Sequence, residues 1–187
     1  YGTPLESTTD TFCRKDTKKF GIVKGITDKG FYVNSYHYAP WKDVSPFEKL
    51  KFESPFPKLS SGGNIDYIEY DTEIKNNLDA LETVWDYAND IGIAYLGTNC
   101  PISKCLKCGY SGDIQQDSKG FECPQCGNRE NDKLQVVIRT CGYLSSLSER
   151  SVSAGRMKEM QSRVFHNLYQ LGITEQKDNR VIKVENK

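Results

Sequence analysis

Two pairs of cysteines carry the plainest chemistry in this chain. Cys105-Leu-Lys-Cys108 and Cys123-Pro-Gln-Cys126 stand fourteen residues apart. Each pair can offer two sulfurs to one ion from a single tight turn. Zinc takes a tetrahedral shell of soft thiolates, and two such knuckles at this separation have zinc-ribbon spacing. Gly109 and Gly127 directly follow the second cysteine of each pair. Glycine there lets the backbone take positive φ and wrap toward the metal. The competing reading is a pair of disulfides, which would need a secreted context. The sequence shows no apolar signal segment and no transmembrane run, so zinc is the better reading. Four thiolates leave no open position for a substrate, and the ion is expected to be structural.

A second short stretch follows. Arg139-Thr-Cys-Gly142-Tyr-Leu144 places Gly142 sixteen positions after Cys126. Taken by itself, Gly142 reads as an ordinary turn glycine. Of seven cysteines, four go to the metal, and Cys13, Cys100 and Cys141 are left as thiols. Free thiols need reducing conditions, which points to the cytoplasm. The chain carries 25 basic and 25 acidic side chains and no net charge, which argues against a dedicated DNA binder. No membrane partner is expected. His37 lies among aromatic neighbours and reads as structural. His166 sits near a helix C-terminus, where a cation is favoured, and also reads as structural.

Positioning these groups falls to elements of mixed type. Residues 1–70 are aromatic, glycine-punctuated and irregular, with candidate strands at Gly30–Tyr38, Lys49–Glu53 and Ile65–Tyr70. Ile74, Leu78, Leu81, Val84, Trp85, Ala88 and Ile91 recur at helical spacing and predict one amphipathic helix over 72–91. Asp71 or Thr72 would cap its start and Gly92 its end. Ile93–Leu96 follows as a short buried strand, and a helix between two strands predicts an α/β arrangement. Leu134–Ile138 leaves the ribbon as a strand, 139–154 is a glycine- and serine-rich loop, and 155–172 returns to helical spacing. The organisation reads as four parts: 1–98, strands and helix; 99–137, zinc ribbon; 138–172, loop and closing helix; 173–187, a polar tail. The chain begins at Tyr1 rather than methionine and reads as a processed product or a piece of something longer.

An ordered set of motifs carries a family resemblance. It comprises Tyr1-Gly-Thr-Pro-Leu-Glu-Ser-Thr8, Gly25-Ile-Thr-Asp-Lys-Gly30, Asn34-Ser-Tyr-His37, Phe47-Glu-Lys-Leu-Lys-Phe-Glu53, Gly62-Gly63 and Tyr95-Leu-Gly-Thr-Asn99. The four cysteines, Arg139–Leu144, Lys158-Glu159 and Arg163-Val-Phe-His166 complete it. This order resembles the C-terminal portion of anaerobic (class III) ribonucleoside-triphosphate reductase, a glycyl radical enzyme, from Tyr1 to about Leu168. Each motif is weak alone; the ordered set is specific.

The resemblance implies the C-terminal part of a ten-stranded α/β barrel, with a zinc ribbon and a glycyl radical loop. Gly142 would be the radical residue, installed by a separate iron–sulfur activase that uses S-adenosylmethionine. Glycine suits the task because a Cα radical is delocalised between amide nitrogen and carbonyl, and any side chain would oppose the planarity this needs. Gly142 would then take a hydrogen from a cysteine that lies upstream, outside this chain; Cys13, Cys100 and Cys141 do not match that position. The resulting thiyl radical would act on the ribose of a ribonucleoside triphosphate, with formate or a thiol as reductant. Tyr1 and Glu6 match a segment lining the substrate cavity, Glu6 as a candidate acid or base and Tyr1 as a substrate contact. The expected partners are the N-terminal part of the reductase and the activase, in an assembled homodimer. Two other classes stay open. One is a spare part that replaces a radical domain damaged by oxygen, which would need only the loop region. The other is a zinc-ribbon binding module, which a DNA titration at low salt would reveal.

Overall fold

The computed structural model of the protein describes residues 8–33, 36–140, 142, 144–146 and 152–166. Tyr1, Glu6, Cys141, the 167–172 end of the expected closing helix and the polar tail lie outside the described residues.

Helix α1 (Thr8–Phe20) opens the described chain. No apolar stripe announces it, because among its described side chains only Thr9 and Cys13 are buried. Its partner comes from the far end of the chain: Arg156 donates to Thr9 Oγ1 at 2.7 Å. The stretch at 30–38, expected as a strand, is instead turn and irregular chain in its described residues. Its aromatic side chains pack on α1 and on neighbouring turns rather than alternating across a sheet. Phe31 meets Trp41 edge-on at 5.7 Å, Tyr32 donates to Asp16 at 2.9 Å, and Tyr36 stacks on Phe56 at 5.3 Å.

Lys49–Glu53 is likewise not a strand but the second half of helix α2 (Pro46–Glu53). Ser45 accepts from Glu48 N–H while Glu48 reaches back to Ser45 N–H, and Pro46 opens the helix. That reciprocal cap, with proline at the first turn, fixes the start of a helix.

Strand β1 (Asp66–Glu69) lies within the expected Ile65–Tyr70 segment. The helix expected over 72–91 is broken. Thr72–Asn76 forms a 3-10 turn, and α3 (Leu78–Asp90) starts afresh where the Asn77 side chain accepts from Ala80 N–H at 3.2 Å. Gly92, at φ +80°, ends it as the sequence suggested. Strand β2 (Leu96–Asn99) begins where Ile93–Leu96 was expected to end, and it runs parallel to β1 with Asp66 opposite Leu96 and Glu69 opposite Asn99. This is a βαβ unit, and its core joins Leu50, Ile68, Tyr70, Ile74, Val84, Ala88 and Ile93.

The ribbon is built from β3 (Ser103–Cys105), β4 (Ser111–Gly112), β5 (Gln116–Asp117), β6 (Gly120–Phe121) and β7 (Leu134–Gln135). Its sheet runs β4–β3–β7 around a second core of Cys105, Ile114, Cys123, Leu134 and Val136. The strand expected at 134–138 divides at Val136: β7 stays in the ribbon, and β8 (Val137–Arg139) pairs with β9 (Leu144–Ser146). Helix α4 (Ala154–Gln161), capped by Ser153, is shorter than the expected 155–172. Beyond it the chain runs along β1, with His166 N–H donating to Glu69 O at 2.7 Å. Those long-range bonds replace the helical ones. No helix among the described residues is long and apolar enough to cross a membrane.

Candidate functional site

The two knuckles are near copies of each other. Gly109 N–H donates to Cys105 O and Gly127 N–H to Cys123 O, each at 2.9 Å. Gly109 and Gly127 sit at φ +80° and +67°, the left-handed conformation that lets the loop close. The four Sγ atoms lie within 4.8 Å of one another. Cys105 and Cys126 are 3.8 Å apart, and Cys108 and Cys123 are 3.6 Å apart. A disulfide needs ~2.05 Å, so the disulfide alternative fails. Sulfurs at ~2.3 Å from a central ion stand ~3.8 Å apart in a tetrahedron, and the set fits zinc. The buried Asn128 amide points at Cys105 Sγ at 3.9 Å, an outer-shell donor of the kind that steadies a thiolate ligand. These are the four cysteines the sequence selected.

The metal set is tied to the glycine loop through strands. Cys105 in β3 stands opposite Leu134 in β7, and two residues later β8 begins. Ser103 Oγ, buried in β3, accepts from Val137 N–H at 3.1 Å. β8 and β9 form a hairpin in which Arg139 faces Leu144, and Gly142 lies in the bend between them, exposed.

Among the described residues, packing does not call for glycine at that position: the nearest atom to a Cβ there is Tyr67 Oη, at 4.0 Å. Gly97 is the contrast, since a Cβ would stand 2.5 Å from the Tyr67 ring.

A buried ionic network supports the loop stem. Glu69 pairs with Arg139 and accepts from Asn99. Burial alone would raise the Glu69 pKa, but Arg139 and Arg163 overcome it and hold the carboxylate down at about 2. The Arg139 guanidinium also lies 4.0 Å over the Tyr67 ring. From the segment after α4, Arg163 donates to Arg139 O at 2.6 Å and Thr140 O at 3.3 Å. Glu159 holds Arg163 through Nε at 3.1 Å and Nη2 at 2.9 Å, and pairs with Arg156 at 2.8 Å. Sequence reasoning marked Arg139 and Arg163 as motif residues but gave neither a task. Glu69 carried no signal beyond its place in a strand.

Of the remaining candidates, Cys13 is buried and donates weakly to Thr27 O at 3.7 Å, while Cys100 packs beside the first core. Both have structural surroundings. His166 is not a cation at a helix end. It is buried and accepts Glu69 N–H on Nδ1 at 3.0 Å, and burial, with the Lys49 charge, lowers its pKa. His37 is not in a strand; it stands beside two fully buried carboxylates, 3.5 Å from Glu53 and 4.0 Å from Asp66. Lys49 covers Glu53 with contacts of 2.7 and 2.6 Å.

A ribbon whose four cysteines could hold one metal ion, joined strand to strand with a hairpin that presents a glycine on a mixed α/β body, defines a cysteine-ribbon, glycine-loop protein. Comparison with known proteins makes this specific. The family profile of anaerobic ribonucleoside-triphosphate reductase matches residues 1–166. Over 166 residues, 89% of this chain, it is 51% identical to the anaerobic ribonucleoside-triphosphate reductase of Haemophilus influenzae and 48% identical to that of Escherichia coli, covering 23% of each. It is 42% identical to that of enterobacteria phage T4, covering 27%. A solved anaerobic ribonucleotide reductase superposes with a TM-score of 0.62 at 25% identity, over 89% of this chain and 24% of that one. The chain belongs to the anaerobic ribonucleoside-triphosphate reductase family. It spans about a quarter of the length of these relatives.

Proposed function

We propose that the chain is the glycyl-radical-bearing C-terminal part of an anaerobic ribonucleoside-triphosphate reductase, with Gly142 as the radical residue. The observation that carries the reading is an exposed Gly142 with open space for a Cβ among the described residues, in a family whose chemistry calls for a glycine. The radical needs a planar Cα with no substituent, and the exposed bend gives an activase access. An iron–sulfur, S-adenosylmethionine-dependent activase would remove one Cα hydrogen. Gly142 would then exchange hydrogen with a cysteine on the upstream part of the reductase, which acts on the ribose of a nucleoside triphosphate with formate or a thiol as reductant. Zinc on Cys105, Cys108, Cys123 and Cys126 would brace the loop and take no part in the reaction.

The parallel β1–β2 pair supports a place in a larger barrel. Parallel sheets are stable when buried and extended by further strands, and β2 has no second strand partner among the described residues. Residues 1–98 would then complete a ten-stranded barrel with upstream strands, 99–137 form the ribbon, 138–172 carry the loop and closing helix, and 173–187 the tail. Tyr1 and Glu6 keep their proposed places at the substrate cavity. A homodimer of the assembled enzyme, working in the cytoplasm, is part of the same reading. A spare-part role accounts less well for similarity that runs over 1–166 rather than over the loop region alone.

Anaerobic incubation with the upstream part, activase, S-adenosylmethionine and a reductant tests the proposal. A doublet electron-spin signal is expected, split by the one remaining Cα hydrogen. Air should then cut the backbone at Gly142, leaving pieces of about 141 and 45 residues. Gly142→Ala should abolish both while keeping zinc and fold, since the added methyl meets no clash. A doublet or cleavage that survives in Gly142→Ala would place the radical elsewhere.

A further inference from the structure

We infer that Arg163 is a positioning residue for the radical loop: it clamps the loop stem at the Arg139 and Thr140 carbonyls and so fixes where Gly142 is presented. The inference rests on the assignment of the radical to Gly142.

Three observations carry it. First, a single guanidinium holds two successive main-chain carbonyls, Arg139 O at 2.6 Å and Thr140 O at 3.3 Å, three and two residues before Gly142. A planar fork of donors can do this and a lysine ammonium cannot reproduce it, because its donors radiate from one point. Second, the fork is itself immobilised. Glu159 takes Nε and Nη2 of Arg163, and Arg156, 1% exposed, fixes Glu159 from the other side. Arg163 is 9% exposed, so water competes little for its donors. Third, the stem is also held by Glu69, which pairs with the Arg139 side chain and lies 3.9 Å from Arg163 Nη1. The stem is thus gripped through its carbonyls and through a side chain. Among the described residues, the nearest atom to a Cβ at Gly142 is Tyr67 Oη at 4.0 Å.

Such a hold on the stem suits the chemistry. Gly142 has two stations, one at the activase and one facing the upstream cysteine. Hydrogen transfer is acutely sensitive to distance, and an error of ~1 Å can cost ~100-fold in rate. A fixed stem returns the bend to one place after each excursion. The α4 segment therefore contributes to catalysis without touching substrate, and it links loop position to the α1–α4 contact through Arg156 and Thr9.

The test uses the assembled reductase carrying Arg163→Lys, which keeps the charge beside Glu159 but loses the fork, and Glu159→Gln, which keeps the shape but releases the fork. Zinc content, melting temperature, doublet yield, oxygen cleavage, kcat and KM are measured for each. The expected result for Arg163→Lys is native zinc content, a doublet formed at wild-type yield or above, and kcat lower by at least ~10-fold. KM for the ribonucleotide should stay within about twofold, because no substrate contact is lost. Glu159→Gln should show the same split, more weakly. Wild-type kcat in Arg163→Lys overturns the inference. So does a loss of activity in both variants that only follows loss of zinc or of folded protein, since Arg163 would then be a packing residue. Failure of the wild-type enzyme to give a doublet would instead remove the assignment of Gly142 on which the inference rests.

Discussion

At the scale of the residue, the chain holds two kinds of buried carboxylate. Glu53 and Glu69 are paired with cations. Burial would raise Glu53, but His37 and Lys49 outweigh it and hold its pKa at about 2. Asp66 is the opposite case. Burial, reinforced by the negative Glu53, pushes it up from 3.8 to about 6, with His37 and Lys49 pulling only partly back. A raised acid binds its proton more tightly in the folded state. Its stabilisation is complete below about pH 3.8 and is lost as pH rises through about 6. Glu53 acts in reverse, stabilising above 4.5 and losing its effect as pH falls toward about 2. Between pH 5 and 8 the Asp66 effect is therefore the one that changes. Asp66→Asn, which cannot ionise, should gain melting temperature over the wild type as pH rises from 5 to 8, with His166 titrating alike in both proteins. A thermal-melt difference that stays flat across that range would show that Asp66 is already ionised at pH 5 in the folded protein, as in the unfolded chain, so that burial does not raise it.

At the scale of the element, two devices are open to single substitutions. Helix α2 depends on its reciprocal cap, in which Ser45 Oγ takes Glu48 N–H at 3.2 Å. Ser45→Ala should cost about 1 kcal/mol, read as a lower denaturant midpoint with unchanged slope. A change below about 0.3 kcal/mol would mean the packing of Leu50 alone holds the helix. The ribbon should depend on the ion that its four cysteines are proposed to hold. Cys105→Ser should lower zinc content well below one ion per chain and, because Cys105 stands opposite Leu134 on the strand that continues to Arg139, raise amide exchange through 134–146. Full zinc loss with unchanged exchange there would show that the network around Glu69 holds the hairpin without the metal.

At the scale of the whole molecule, the chain exposes side chains that a finished domain would cover. Leu59 is 82% exposed, Ile22 78%, Leu78 66% and Phe20 63%. Scattered apolar exposure is common, but here it accompanies a two-stranded parallel sheet. The isolated chain should therefore bind a hydrophobic dye and turn over no nucleotide. Adding the upstream part of the reductase should quench the dye and raise the melting temperature, as association does by mass action. Turnover by the activated chain alone would force Cys13, Cys100 or Cys141 into the hydrogen-transfer role and would undo the two-part reading.

The four clustered cysteines, the glycines that close the knuckles, β1 and the Gly92 stop were all legible in the sequence. Each depends on local spacing or on conformations that only glycine adopts readily, so a short window contains the whole cause. The Ser45–Glu48 cap was equally local, yet Lys49–Glu53 read as a strand because a five-residue window of alternating residues omits the cap that precedes it. What tertiary structure decided is long-range. Helix α1 lacks a strong apolar stripe, and its partner Arg156 is 147 residues away. Helix α4 stops early because His166 bonds to Glu69 across 97 residues. His37 becomes the neighbour of two buried carboxylates only when α2 and β1 meet. The ionic network at the stem of the Gly142 loop joins Glu69, Arg139, Glu159 and Arg163 from three separate segments. Spacing along a chain reports the contacts that local geometry imposes; a buried charge is placed by whichever distant partner can neutralise it, and only the folded molecule brings that partner within reach.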